Sequence, residues 1–168
     1  CAFKTNDPVS VFNHLLNASP EDETPQALLE DYNTKYTNTG SVKQYFSDMS
    51  EGVFQPQFDV KGVVTVSKNY AYYGQDQSEN NRDIKYKEMI KEACELAKSQ
   101  LGVNFSEYDA NNDGNVDLVY VIHAGYGQNT GGEENTLWAK TSFNHITTID
   151  GKKIIAHGIN SELNSNKG

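Results

Sequence analysis

Asp109-Ala-Asn111-Asn-Asp113-Gly114-Asn115-Val-Asp117, running directly into Leu118-Val119-Tyr120-Val121-Ile122, decides how this chain is to be read. The first part is a D-x-N-x-D-G-x-x-D string. Oxygen-bearing side chains stand at alternate positions, and Gly114 sits where the loop must reverse, because a residue without Cβ adopts positive φ freely. Hard cations such as Ca²⁺ take about six to eight oxygens, and a string of this kind supplies most of them from one tight turn. Asp109, Asn111, Asp113 and Asp117 are expected to offer side-chain oxygens, and Asn115 a main-chain carbonyl. Plain turns favour the same residue types. The regular spacing is what points to a metal.

The continuation excludes an EF-hand. That motif leads into a helix and carries a bidentate Glu at its twelfth position, where this chain has Tyr120. The residues from Val116 to Ile122 are β-branched and aromatic, so the loop is expected to feed a buried strand. A loop held this way would be structural, because all its donors are hard oxygens.

Outward from the loop, helical spacing over Ile84–Leu101 predicts the longest helix, with Gly102 as its C-terminal cap. A helix is expected at Val9–Asn17, and another at Val42–Met49 with Ser41 as N-cap and Gly52 as terminator. A helical turn is placed around Ala27-Leu28-Leu29, inside a polar stretch running from Ser19 to Thr39. Extended segments are expected at Val53-Phe54, Phe58–Val60 and Val63–Val66, and a short edge strand at Leu137–Ala139. The aromatic run Tyr70–Gly74 should pack a loop onto the core. Thr147–Asn160 reads as a hairpin turning at Asp150-Gly151, with His157 on the return arm. Helices and strands alternate without a regular βα rhythm, which predicts an α/β (α+β) fold with a mixed sheet and helices on one or both faces.

At 168 residues the chain is long enough for one domain with a real core. A net charge of −9, with no clustered Lys or Arg, argues against nucleic acid or an anionic membrane as partner. No apolar run is long enough to span a bilayer. Cys1 and Cys94 do not make a disulfide framework; Cys94 is expected to be a small buried hydrophobe, and Cys1 is compatible with a lipid anchor. Both ends read as cut from a longer polypeptide. The loop suits the abundant calcium outside cells, which favours an exported protein.

His14, His123, His145 and His157 are scattered, no H-E-x-x-H is present, and Gly125-x-Gly127 lacks the rest of a dinucleotide fingerprint. His123 and Gly125, at the end of a hydrophobic run, are similar to the His-Gly element of caspase- and gingipain-type cysteine peptidases. That chemistry also needs a nucleophilic Cys ending a second strand, and neither Cys1 nor Cys94 is so placed.

Taken in order, several stretches resemble the M6 family of secreted bacterial zinc metallopeptidases, which includes immune inhibitor A. They are Gly40–Phe46, Ser50–Phe54, Pro56–Gly62, Val64-Thr65, Tyr70–Gly74, Phe105–Asp109, the cation loop, Ala124–Gly127, Trp138 and Ser161–Leu163. The resemblance implies a zincin-like mixed sheet with packed helices and calcium at Asp109, Asn111, Asp113, Asn115 and Asp117. It implies that residues 1–168 are the N-terminal portion of a single metallopeptidase domain, without its first strand or its zinc-binding helix, because the family's H-E-x-x-H follows the stretch matching Ser161–Leu163. Zn²⁺ would then belong to the full protein, with no ligand here, and no catalytic residue is carried over to His123 or to any other position. The implied partners are protein or peptide substrates and the rest of the catalytic domain; the implied location is extracellular or on a bacterial surface. The alternative is a non-catalytic, calcium-dependent binding or adhesion module.

Overall fold

The computed structural model describes residues 2–33 and 40–164. Expectations for Cys1, for positions 34–39 and for the tail at 165–168 lie outside the described residues. Contacts divide the chain into two compact units, Lys4–Val63 and Cys1–Phe3 with Val64–Gly168.

In the smaller unit, α1 (Pro8–Asn17) starts where Asp7 accepts the Ser10 N–H and Pro8 presets the first turn. Val11 and His14 are buried on its inner side. The helix α2 (Gln26–Asp31) contributes buried Leu28, and α3 (Val42–Met49) packs against α1. Ser41 caps α3 as expected, accepting the Gln44 N–H at 3.2 Å. Its end is closed by the Gly52 N–H, which reaches the Ser47 carbonyl at 2.7 Å while Gly52 holds φ 80°.

The strands expected between Val53 and Val66 do not form. The main chain of Phe58 bonds to a side chain instead. Asn17 donates to its carbonyl at 2.7 Å and accepts its N–H at 3.0 Å. Val53, 89 % exposed, covers nothing.

In the larger unit, Tyr70–Tyr73 is a short helix, α4, rather than a loop, and Tyr73 is buried with its hydroxyl donating to Glu92 at 2.5 Å. The long helix α5 (Tyr86–Leu101) begins two residues later than its spacing suggests. Asp83 holds φ 51°, outside helical geometry, and Ile84 is left exposed. Gly102 caps α5 at φ 69°.

The strands are β1 (Asn115–Val116), β2 (Val119–Tyr126), β3 (Lys140–Ser142), β4 (Thr147–Ile149), β5 (Lys152–Ile154) and β6 (His157–Leu163). They form two mixed three-stranded sheets, ordered β1-β5-β4 and β2-β6-β3, so the class is α+β. The single strand expected at Val116–Ile122 is split. Asn115 faces Lys153 in one sheet and Val119 faces His157 in the other, with the same parallel offset in both. One parallel ribbon therefore changes sheet at Asp117-Leu118. Its second half is only half buried, with Tyr120 exposed.

Two further expectations are corrected. The hairpin over Asp150-Gly151 ends at Ile154, and His157 opens β6 in the other sheet, because the Ala156 carbonyl accepts the Val119 N–H at 3.0 Å. The edge strand lies at Lys140–Ser142, not Leu137–Ala139; Leu137 goes into the core and Trp138 is held by the side chain of Asp83. The core gathers Ile90, Cys94 and Phe105 with Val116, Ile154 and Ile159, joining α5 to both sheets.

Candidate cation loop

Three elements hold the front of the loop. Asn104 caps a 3-10 turn at Phe105–Glu107 through the Ser106 N–H. The buried Phe105 donates its N–H to Asp150 Oδ2 at 3.0 Å, and Lys98 of α5 meets Asp150 Oδ1 at 2.5 Å. The hairpin turn thus fixes both the end of α5 and the start of the loop. At its rear, β1 lies against β5, and the Lys153 N–H donates to the Gly114 carbonyl at 3.0 Å.

The loop closes on itself. The Asp117 N–H donates to the Tyr108 carbonyl at 2.7 Å, and the Ala110 N–H to Asp117 Oδ2 at 3.2 Å. Asn112 and Gly114 take the left-handed turns, at φ 58° and 85°. Asp109 is the buried anchor: Oδ1 accepts the Asp113 N–H at 2.9 Å and Oδ2 the Gly114 N–H at 3.0 Å. Asn111 Oδ1 also accepts the Asp113 N–H, at 3.0 Å, and Asp113 Oδ1 accepts the Asn115 N–H at 2.8 Å. Asn111, Asp113 and Asp117 remain exposed.

One partner was not foreseen. Lys152, on β5, places its ammonium 2.5 Å from Asp109 Oδ2. Alternation along the hairpin did carry the signal, since Lys152 and the buried Ile154 stand on the same face. The Lys152 hydrogen bond is the main reason the Asp109 carboxyl is held below its ordinary range, with the Gly114 and Asp113 N–H groups adding to it. For Asp113 the leading cause of a lowered pKa is the Asn115 N–H.

The donor set is chemically suited to a hard cation: three carboxylates and an amide oxygen, with one ammonium to balance them. Among the described residues no three His, Cys, Asp or Glu side chains group closely enough to hold a metal by themselves. The four histidines lie apart, His14 in α1, His123 in β2, His145 just before β4 and His157 at the start of β6.

Residues 26–167 match the family described as immune inhibitor A peptidase M6, catalytic domain. The chain belongs to that family, as the ordered stretches from Gly40 to Leu163 lead one to expect. Among curated relatives, it is 27 % identical over 105 residues to the pre-pro-metalloprotease PrtV of Vibrio cholerae serotype O1, covering 55 % of this chain and 11 % of that protein. It is 28 % identical over 141 residues to immune inhibitor A of Bacillus thuringiensis subsp. alesti, covering 73 % of this chain and 20 % of that protein. The matched region is thus a fifth or less of either relative.

Proposed function

We propose that these residues are part of the catalytic domain of a secreted, calcium-stabilised zinc metalloendopeptidase. The observation that carries this is the family match across residues 26–167. The 168 residues contain no H-E-x-x-H. In this reading the zinc ligands and general base are supplied by another part of the polypeptide, and this portion alone is inert. When bound, zinc acidifies the attacking water and polarises the scissile carbonyl. The chain's own contribution is scaffold and substrate contact. Strand β3 is the edge of its sheet, and it presents main chain to which an extended peptide adds as a further strand.

The loop would hold Ca²⁺ through Asp109, Asn111, Asp113 and Asp117 with the Asn115 carbonyl. A precursor form, named for the Vibrio relative, and the fit of such a loop to extracellular calcium support export. The second reading is a calcium-dependent binding or adhesion module without catalysis.

Peptide cleavage separates the two. The complete encoded protein should hydrolyse casein-derived peptides in a chelator-sensitive way, and residues 1–168 should not. A complete protein without hydrolytic activity leaves the adhesion reading. Substitutions in Lys140–Ser142 should raise KM for long peptides; unchanged kinetics would remove the β3 edge from substrate binding. Calcium should raise the melting temperature, and Asp113→Ala should abolish most of the rise.

A further inference from the structure

Just before β3, Leu137 and Ala139 turn their main chain toward the segment after β2. The Leu137 carbonyl accepts the Gln128 N–H at 3.1 Å, and the Ala139 N–H donates to Asn129 Oδ1 at 3.2 Å. Alternate residues of an extended chain point these groups to opposite sides, so Trp138, Lys140 and Ser142 turn theirs to the open edge. At Trp138 that edge is already taken, because its N–H faces both oxygens of the buried Asp83 at 3.3 Å. The open edge therefore begins at Lys140, and a peptide added there runs up against the turn at 76–83.

Arg82 is the cation of that turn. Its guanidinium lies 4.5 Å over the partly exposed Trp138 ring, and its Nε donates to the Glu79 carbonyl at 3.1 Å. The turn itself is closed by the Gln77 N–H on the Asn81 carbonyl and by the Asp83 N–H on Asp76 Oδ1. The guanidinium is thus held at two points, and no carboxylate among the described residues forms an ion pair with it. The neighbouring Asp83 is engaged by the Lys140 ammonium instead. A planar fork of donors, fixed in advance by stacking, loses little freedom on gripping a carboxylate at two points.

We propose that Arg82 is a specificity-determining residue: it takes the carboxylate of an Asp or Glu side chain in a peptide laid along β3, at the substrate position beside Trp138. This rests on the peptidase reading and on β3 as the substrate edge, and it adds a substrate class, peptides with an internal acidic residue. The chain's net charge of −9 disfavours acidic peptides at long range. Salt screens that repulsion beyond about 8 Å, whereas the guanidinium acts at hydrogen-bond distance.

The test uses the complete encoded protein and peptides blocked at both ends, so that no terminal carboxylate competes. Glu is moved through the peptide one position at a time, each peptide being matched by its Gln counterpart. At one position wild type should prefer Glu by about threefold to tenfold in kcat/KM, and the preference should shrink as salt is raised. Arg82→Met should bring the Glu/Gln ratio there to one. Arg82→Lys, which keeps the charge without the fork, should keep part of it. Equal rates for Glu and Gln at every position, or a preference that survives Arg82→Met, would overturn the role of Arg82 and leave the peptidase reading standing. If wild type cleaves none of the peptides, the peptidase reading fails, and this role with it. If Arg82→Met does not fold, Arg82→Lys decides, and a ratio equal to that of wild type overturns the proposal.

Discussion

The buried carboxylate of Asp83 lies 2.5 Å from the Lys140 ammonium, tying the turn before α5 to the first residue of β3. Both carboxylate oxygens also face the Trp138 N–H, at 3.3 Å, and the Arg82 guanidinium sits 4.5 Å over the Trp138 ring. Two neighbouring residues thus grip the approach to the edge strand, one by charge and one by stacking. Asp83→Ala strips the partner from a largely buried ammonium and should cost about 3–5 kcal/mol, nearer the lower figure because Lys140 retains some access to water. Urea unfolding measures this, and a loss below about 1 kcal/mol would show that β3 is held by other means.

Gly74 follows α4 where the chain passes the Asn135 main chain so closely that a Cβ would collide with its carbonyl oxygen. Gly74→Ala should therefore cost about 1–3 kcal/mol through overpacking. Gly102→Ala has open space around it, and its cost, roughly 1–2 kcal/mol, would come from forcing a side chain into the left-handed region at φ 69°. Asn at 102 should recover part of that loss and Asn at 74 none, which thermal melts of the four variants can tell apart.

Acid should weaken the fold in two stages. Burial holds the pKa of His123 and of His157 below the ordinary histidine value. The unfolded chain then takes up these protons first, so stability declines as pH falls below about 6.5. Glu92 is held low chiefly by the Tyr73 hydroxyl, and Asp150 by Lys98. With Asp109 and Asp113, they stabilise the fold above about pH 4, and that contribution is lost as pH falls further. Melting temperatures across this range should show both declines, and His157→Gln should shrink the upper one. A flat profile between about pH 7 and 5 would count against the histidines.

Cys94 is buried in α5 beside the core, and burial pushes its thiol pKa up to about 12. Its reactive thiolate is scarce at neutral pH, and reagents have no path to it. Iodoacetamide should label Cys94 only after unfolding, as read from its own peptide. Rapid labelling in the native state would show that α5 opens locally.

Features written over a few residues were legible in the sequence: the Ser41 and Gly102 caps, the Asp150-Gly151 turn, the reversal at Gly114 and the burial of Cys94. Each depends on chemistry within about one turn of chain. Pairing over long distances was not legible. Phe58 looked like a strand residue because nothing nearby says that Asn17, far earlier in the chain, takes its backbone bonds. The division into two sheets escaped notice because Leu118 is as hydrophobic as a strand residue should be, although it stands at the break and is exposed. Of the loop, the Asp and Asn side chains that accept its main-chain N–H groups could be read directly. The cation provided by the fold itself required the partner strand, which only the three-dimensional arrangement identifies.

The order of the strands bears on how the chain comes to be folded at all. The central strand of the second sheet, β6, is the last of the three in sequence, and it alone joins β2 to β3. A chain still on the ribosome, short of residue 157, can close the β4–β5 turn within microseconds, but β2 and β3 then have no neighbour. Through that interval the half-apolar β2 is an open edge of the kind that seeds aggregation. Its pairing with β6 spans a long loop of chain and is correspondingly slow. A synthesis pause, or a truncation between Tyr126 and His157, should thus send this protein toward insoluble material or into the hands of a chaperone.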